Sequence, residues 1–188
     1  MTGMIELPPS KKLREITAET CLRGDEIHQY RNRMGEDVYR VAITNLLHKH
    51  YKVTDKITKE CILATAGVSG GIISSLLTIR NEKKEGKVKV GIITPYYTYH
   101  QKQIYEATGE EPIFISSNDD FTPNLKEIEK SIVDNKLDIV MFTNPANPQG
   151  TIWKKEEIDK IVQITKNNNC MLLIDEIYCD LVWVNNLL

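Results

Sequence analysis

Asn144-Pro145-Ala146-Asn147-Pro148-Gln149-Gly150 opens, and Asp175-Glu176-Ile177-Tyr178 closes, the stretch on which the fold of this chain turns. Between them lie a run with Ile158, Ile161 and Val162 at helical spacing, a breaker at Asn167-Asn168-Asn169, and the apolar run Met171 to Ile174. A second apolar run, Asp138 to Phe142, stands just before the first cluster. Two short apolar runs, each ending in a polar cluster, are how an open α/β sheet presents chemistry at the carboxyl ends of its strands. The rest of the chain reads as scaffold and lining for that cluster.

Working outward, the same unit recurs. Cys61 to Thr65 predicts a short strand, Gly67-Val68-Ser69-Gly70-Gly71 a tight turn, and Ile72 to Arg80 a helix apolar on most sides. Val88 to Ile93 predicts a second strand, followed by Pro95-Tyr96-Tyr97 and a helix to about Thr108. Ile113 to Ile115 predicts a third strand; the helix after it sets Leu125, Ile128, Ile132 and Val133 on one face. With Asp138 to Phe142 and Met171 to Ile174 this makes five strands alternating with helices of 10–15 residues. The fold class is therefore α/β, a three-layer mostly parallel sheet with helices on both faces. Residues 1–35 form an N-terminal arm, irregular around Pro8-Pro9 and weakly helical from Lys11 to Thr17; residues 36–188 carry the sheet domain. That domain opens with a helix from Glu36 to about Tyr51, with Val38, Val41, Ala42 and Leu46 at helical spacing.

At 188 residues, 41% apolar and 27% charged, the chain is long enough for one sizeable core and is globular in composition. A net charge of -2 gives no electrostatic reason to expect nucleic acid or an anionic membrane as partner. The apolar runs are too short to span a bilayer, and residues 1–20 lack the apolar core of a signal peptide, so a cytoplasmic protein is expected. Cys21, Cys61, Cys170 and Cys179 form no Cys-x-x-Cys pair, and Cys61 and Cys170 sit in apolar runs as reduced, buried thiols. His28, His48, His50 and His100 are scattered; His48 and His50, two apart on a helix, face different ways, and no metal site is expected.

Four features carry chemistry. Gly67-Val68-Ser69-Gly70-Gly71 matches Gly-x-Ser-x-Gly between strand and helix, the setting of a hydrolase nucleophile. Such a serine needs a later acid and then a histidine, and no histidine follows His100. The same turn suits phosphate, because backbone N–H groups are free at the positive end of a helix and Ser69 adds a hydroxyl. Gly-x-Gly-x-x-Gly and Walker sequences are absent, which disfavours dinucleotides and nucleoside triphosphates. Tyr97, just past the second strand, is placed to wall a flat ligand. The Asn/Pro loop holds amide side chains rigidly at a strand end. Asp175 ends an apolar strand with no Arg or Lys near it in sequence, so it requires a cationic or donating partner, and a protonated ligand nitrogen would serve. Tyr178, three residues on, reaches the same side if the chain turns there. A plain N-cap role for Asp175 and plain packing for Tyr97 stay open.

In this order and spacing, phosphate turn, aromatic wall, Asn-Pro-x-Asn-Pro-x-Gly and Asp-x-x-Tyr resemble the fold-type I pyridoxal-phosphate enzymes, specifically the class I/II aminotransferases. The resemblance runs from about Gln29 to the C-terminus. It implies the cofactor pyridoxal 5'-phosphate, with an amino acid and a 2-oxo acid as substrates. Val68 and Ser69 would bind the cofactor phosphate and Tyr97 would stack on the ring. Asn147 and Tyr178 would hydrogen-bond its phenolic oxygen, and Asp175 would pair with its ring nitrogen. Tyr30, five residues before Gly35, resembles the family's segment that reaches a neighbouring subunit's phosphate, which implies a homodimer.

Gln149 and Thr98 stand where the family usually has threonine and proline, as tolerable surface departures. The family's Schiff-base lysine lies well beyond Asp-x-x-Tyr, whereas the last lysine here is Lys166. The resemblance therefore implies part of the large domain, truncated, with no catalytic residue of its own and inactive alone. In the family's sheet two later strands separate the phosphate-turn strand from the fourth, so Cys61 to Thr65 would lack neighbours and the chain alone would be marginal. The alternatives are a pyridoxal-phosphate lyase of the same fold, a non-enzymatic aminotransferase-like ligand-binding module, and an unrelated doubly wound nucleotide-binding domain, which would leave the Asn/Pro loop unexplained.

Overall fold

A computed structural model of the chain describes residues 7–182 other than 52, 54 and 55; the first six residues of the expected arm lie outside it. The chain divides into two compact units, Met1–Thr65 and Ala66–Leu188.

The first unit is helical. Helix α1, Lys11–Leu22, starts at Ser10, whose hydroxyl accepts from Leu13 N–H, and it buries no residue. Helix α2, Asp37–Tyr51, differs from expectation in its buried side. Val38, Val41 and Leu46 are exposed, while Arg40 is buried and its guanidinium donates to Asp37 and to Lys59 O. The Lys59 ammonium and then the Arg40 guanidinium hold the Asp37 carboxyl below its ordinary range. His48 Nε2 donates to Ile57 O at 2.8 Å. Hydrogen bonds and ion pairs to residues 57–60 thus set the orientation of α2, and its apolar stripe does not.

Cys61 to Thr65 is not a strand. A 3-10 turn covers Lys59–Cys61, and Ala64 N–H donates to Met34 O at 3.0 Å. A strand exists only with a neighbour to receive its backbone groups, and the described sheet does not include this segment. Gly35, at φ 96°, sits against it; a Cβ there would lie 2.5 Å from Ala64 Cβ. Cys61 is exposed rather than buried.

Among its described residues the second unit has the expected layers, with a sheet of four strands instead of five. Its elements are α3 (Gly67–Glu82), β1 (Val90–Thr94), α4 (Tyr99–Thr108), β2 (Ile113–Ser116), α5 (Leu125–Asn135), β3 (Ile139–Thr143), α6 (Lys155–Asn167) and β4 (Met171–Asp175). The strands are all parallel, in the order β2-β1-β3-β4. Because successive side chains of a strand face opposite ways, Ile139 and Met141 join Ile72, Leu76, Val90, Ile92, Ile104 and Ala107 beneath α3 and α4. Val140 and Phe142 join Ile93, Ile115, Ile128, Ile132 and Ile161 beneath α5 and α6. Gly91 lets Leu137 and Ile115 pack close to the strand: a Cβ would lie 2.6 Å from Leu137 Cδ1 and 2.7 Å from Ile115 Cδ1, so those side chains would have to shift. Val133 and Val162, expected inward, are exposed. Among the described residues no helix is long and apolar enough to cross a membrane.

Cys170 is buried, and burial first, then the Asp138 charge, push its thiol up to about 11. A thiolate is the reactive form. Mildly alkaline iodoacetamide is expected to modify Cys21 and Cys61 in the folded chain and Cys170 only in denaturant. Equal rates at Cys61 and Cys170, read by mass spectrometry, would contradict this.

Candidate functional site

The site is built where β3 and β4 end together, with Thr143 in register beside Asp175. Asn144 N–H donates to Asp175 O at 3.0 Å, so the Asn/Pro loop hangs from the end of β4. The Asp175 side chain is 5% exposed. Its Oδ1 accepts from Ile177 N–H at 3.1 Å, in the manner of an aspartate opening a turn. Its Oδ2 lies 3.1 Å from His100 Nε2. The acid that lacked a donating neighbour in sequence therefore has one in space, the His100 ring nitrogen. His100 is 1% exposed, in the first turn of α4, and its Nδ1 is buried with no hydrogen-bond partner.

The two asparagines of the loop have different roles. Asn144 Oδ1 accepts from Trp153 N–H at 2.9 Å, while Ala146 N–H donates to Thr151 O and Gly150 N–H to Ala146 O, which closes the loop on itself. The peptide bonds before Pro145 and Pro148, like that before Pro95, are cis. Asn147 is left to face the site, and its Nδ2 donates to the Tyr178 hydroxyl at 3.2 Å. Tyr178 gets there through a turn, in which Cys179 N–H donates to Glu176 O and Leu181 N–H to Tyr178 O. A phenol that accepts from Asn147 keeps its own O–H to donate elsewhere.

The tyrosines after β1 divide likewise. Tyr96 stacks on Phe114, centroids 5.6 Å apart, and its hydroxyl donates to Gln101 Oε1 at 2.7 Å. Tyr97 instead stands edge-on to His100, centroids 5.3 Å apart, with Tyr99 at 5.4 Å. Tyr97, His100 and Asp175 thus form one contact group, and Asn147 with Tyr178 a second, both at the ends of β1, β3 and β4. At the start of α3, Gly67 has φ 69° and the N-cap, Ala66, offers no side-chain acceptor to the first-turn N–H groups. Val68 there packs on the core and Ser69 is exposed; no side-chain hydrogen bond of the described residues joins them to the cluster. Tyr30 belongs to the first unit and is fully exposed.

Three residues of this region escaped the sequence: His100, Gln149 and Trp153. His100 had a faint signal, standing three residues after Tyr97 and so on the same side of a helical turn. Gln149, taken as a tolerable surface departure, is half-buried and donates from Nε2 to Pro95 O at 2.8 Å. Trp153 packs on Phe142, centroids 4.6 Å apart, and donates from Nε1 to Phe121 O at 2.9 Å.

A parallel sheet covered on both faces, with a polar cluster at the carboxyl ends of its strands, makes this a doubly wound α/β protein. Residues 3–186 match the family model for aminotransferase class I and II, and the chain belongs to that family. An aspartate aminotransferase of Sulfolobus acidocaldarius is 30% identical over 180 residues, 94% of this chain and 42% of that protein. Human kynurenine–oxoglutarate transaminase 3 is 25% identical over 190 residues, 95% of this chain and 40% of that protein. Among solved structures, the aspartate aminotransferase of Thermotoga maritima superposes with a TM-score of 0.86 at 21% identity, covering 98% of this chain and 47% of that one. That likeness shows the fold. The chain spans less than half the length of these relatives.

Proposed function

We propose that this chain supplies the pyridoxal 5'-phosphate-binding part of an enzyme that moves an amino group between an amino acid and a 2-oxo acid. The observation that carries the reading is the buried Asp175–His100 pair beside the Asn147–Tyr178 pair at one sheet end. Their chemistry fits the cofactor. Asp175 is a buried acceptor suited to a protonated ring nitrogen, with His100 fixing its orientation; the Asn147 amide and the free Tyr178 O–H converge as donors for a phenolic oxygen. When bound, pyridoxal phosphate draws electron density from the substrate's α-carbon, and Asp175 favours that by keeping the ring nitrogen protonated. Tyr97 would lie along the ring, and the uncapped N–H groups at Val68 and Ser69 would take the phosphate. In this reading residues 1–35 are an arm, residues 36–188 part of the large domain, and Tyr30, exposed, reaches the phosphate of a second subunit in a homodimer.

Pyridoxamine 5'-phosphate tests the site without stray lysine adducts, because it has no aldehyde. Asn147→Ala is expected to weaken its binding about tenfold and Tyr178→Phe about threefold to tenfold, in line with about 1 kcal/mol per hydrogen bond. The double variant should lose less than the sum, because the two side chains are bonded to each other. Unchanged affinity in both single variants, by equilibrium dialysis, would remove the reading.

A further inference from the structure

Gln149 holds a place in the site that the family resemblance does not assign. Strands β1 and β3 are neighbours, and their paired register ends at Ile92 and Met141, short of the strand ends. Beyond that point the loop after β1, which carries Tyr97 and His100, and the Asn/Pro loop, which carries Asn147, leave the sheet side by side. The Asn/Pro loop is closed on itself by Ala146, Thr151 and Gly150, and is tied to β4 by Asn144 N–H. Its link toward β1 is a side chain: Gln149 Nε2 donates to Pro95 O at 2.8 Å. The partner is a carbonyl oxygen, so the amide nitrogen faces it. The amide oxygen is then buried without a partner, which costs free energy.

We propose that Gln149 is a positioning residue: its amide straps the Asn/Pro loop to the loop after β1 and so sets the spacing between Asn147 on one side and Tyr97 with His100 on the other. This rests on the cofactor-site reading for its consequence and on the hydrogen bond for its existence. A donor at position 149 is required, and size alone does not suffice. Gln149→Glu keeps the shape but opposes a carboxylate to the Pro95 carbonyl. Gln149→Lys restores an N–H donor of similar reach.

The test reads hydrogen exchange and binding on the same chain. Gln149→Glu should speed exchange in residues 144–151 and 96–100 about tenfold while β1 and β3 keep their protection, because only local opening becomes easier. It should weaken pyridoxamine 5'-phosphate about fivefold to tenfold and leave inorganic phosphate unaffected, as expected for loss of orientation at one end of the ligand. Gln149→Lys should bring both readouts back to within about twofold of the parent, because a charged donor replaces a neutral one. Exchange unchanged in Gln149→Glu, equal loss in Gln149→Glu and Gln149→Lys, or a rise spread evenly through β1 and β3 would each overturn the strap. If the parent chain shows the expected exchange pattern but does not bind pyridoxamine 5'-phosphate, the cofactor reading falls and the strap stands.

Discussion

Asp175→Ala is expected to weaken pyridoxamine 5'-phosphate binding by about 30- to 150-fold, the equivalent of the 2–3 kcal/mol carried by a hydrogen bond between charged partners. The size follows from burial. Asp175 is 5% exposed, so water competes poorly for its carboxylate. The variant also strips His100 Nε2 and Ile177 N–H of their acceptor, so some loss of stability accompanies the loss of affinity. A control separates the two effects. A benzene analogue of the cofactor, with the same phosphate and phenol but no ring nitrogen, should bind parent and variant equally. If Asp175→Ala weakens the analogue as much as pyridoxamine 5'-phosphate, Asp175 acts on the fold and does not touch a ring nitrogen.

Trp153→Ala is expected to lower the stability of the sheet unit by about 3–5 kcal/mol, roughly 10–20 °C in melting temperature. Three attachments are lost or loosened. The indole ring leaves Phe142, Nε1 no longer donates to Phe121 O, and the residue whose N–H donates to Asn144 Oδ1 loses its anchor in the core. A loss of that size is a large share of the 5–15 kcal/mol that holds a typical domain together. Trp153→Phe keeps the ring contact and should cost about 1–2 kcal/mol, because it removes one hydrogen bond and some area. The Asn/Pro loop is tied to the Trp153 N–H through the Asn144 side chain, so the alanine variant should also expose residues 144–151 to exchange before the sheet melts. A thermal midpoint shifted by less than about 3 °C would mean the ring adds little to the core.

Much of the site is legible in the residues themselves. Asn147, Asp175 and Tyr178 could be assigned to strand ends because Asp138 to Phe142 and Met171 to Ile174 are short apolar runs that each become a strand of the sheet. Tyr97 follows in the same way from the run before Pro95. The helix breaker at Asn167 to Asn169 and the alternation of short apolar runs with amphipathic helices were enough for a parallel sheet covered on both faces.

What required three dimensions has one physical cause: it depends on a partner far away in the chain. The His100–Asp175 bond spans 75 residues and the Gln149–Pro95 bond 54, and neither partner bears a mark of the other in its local pattern. Cys61 to Thr65 has the composition of a strand, but a strand is a relation between two segments, and the described sheet offers it none. Helix α2 has an apolar stripe, but ion pairs to Asp37 and Glu60 and a hydrogen bond to Lys59 O turn Arg40 inward and leave Val38 and Leu46 outside. The stretch 144–178 by itself determined which polar groups stand at the strand ends, because local periodicity sets where each strand stops. Tertiary packing alone decided which of those groups meet, because burying a charge or an amide obliges the fold to bring it a partner from elsewhere.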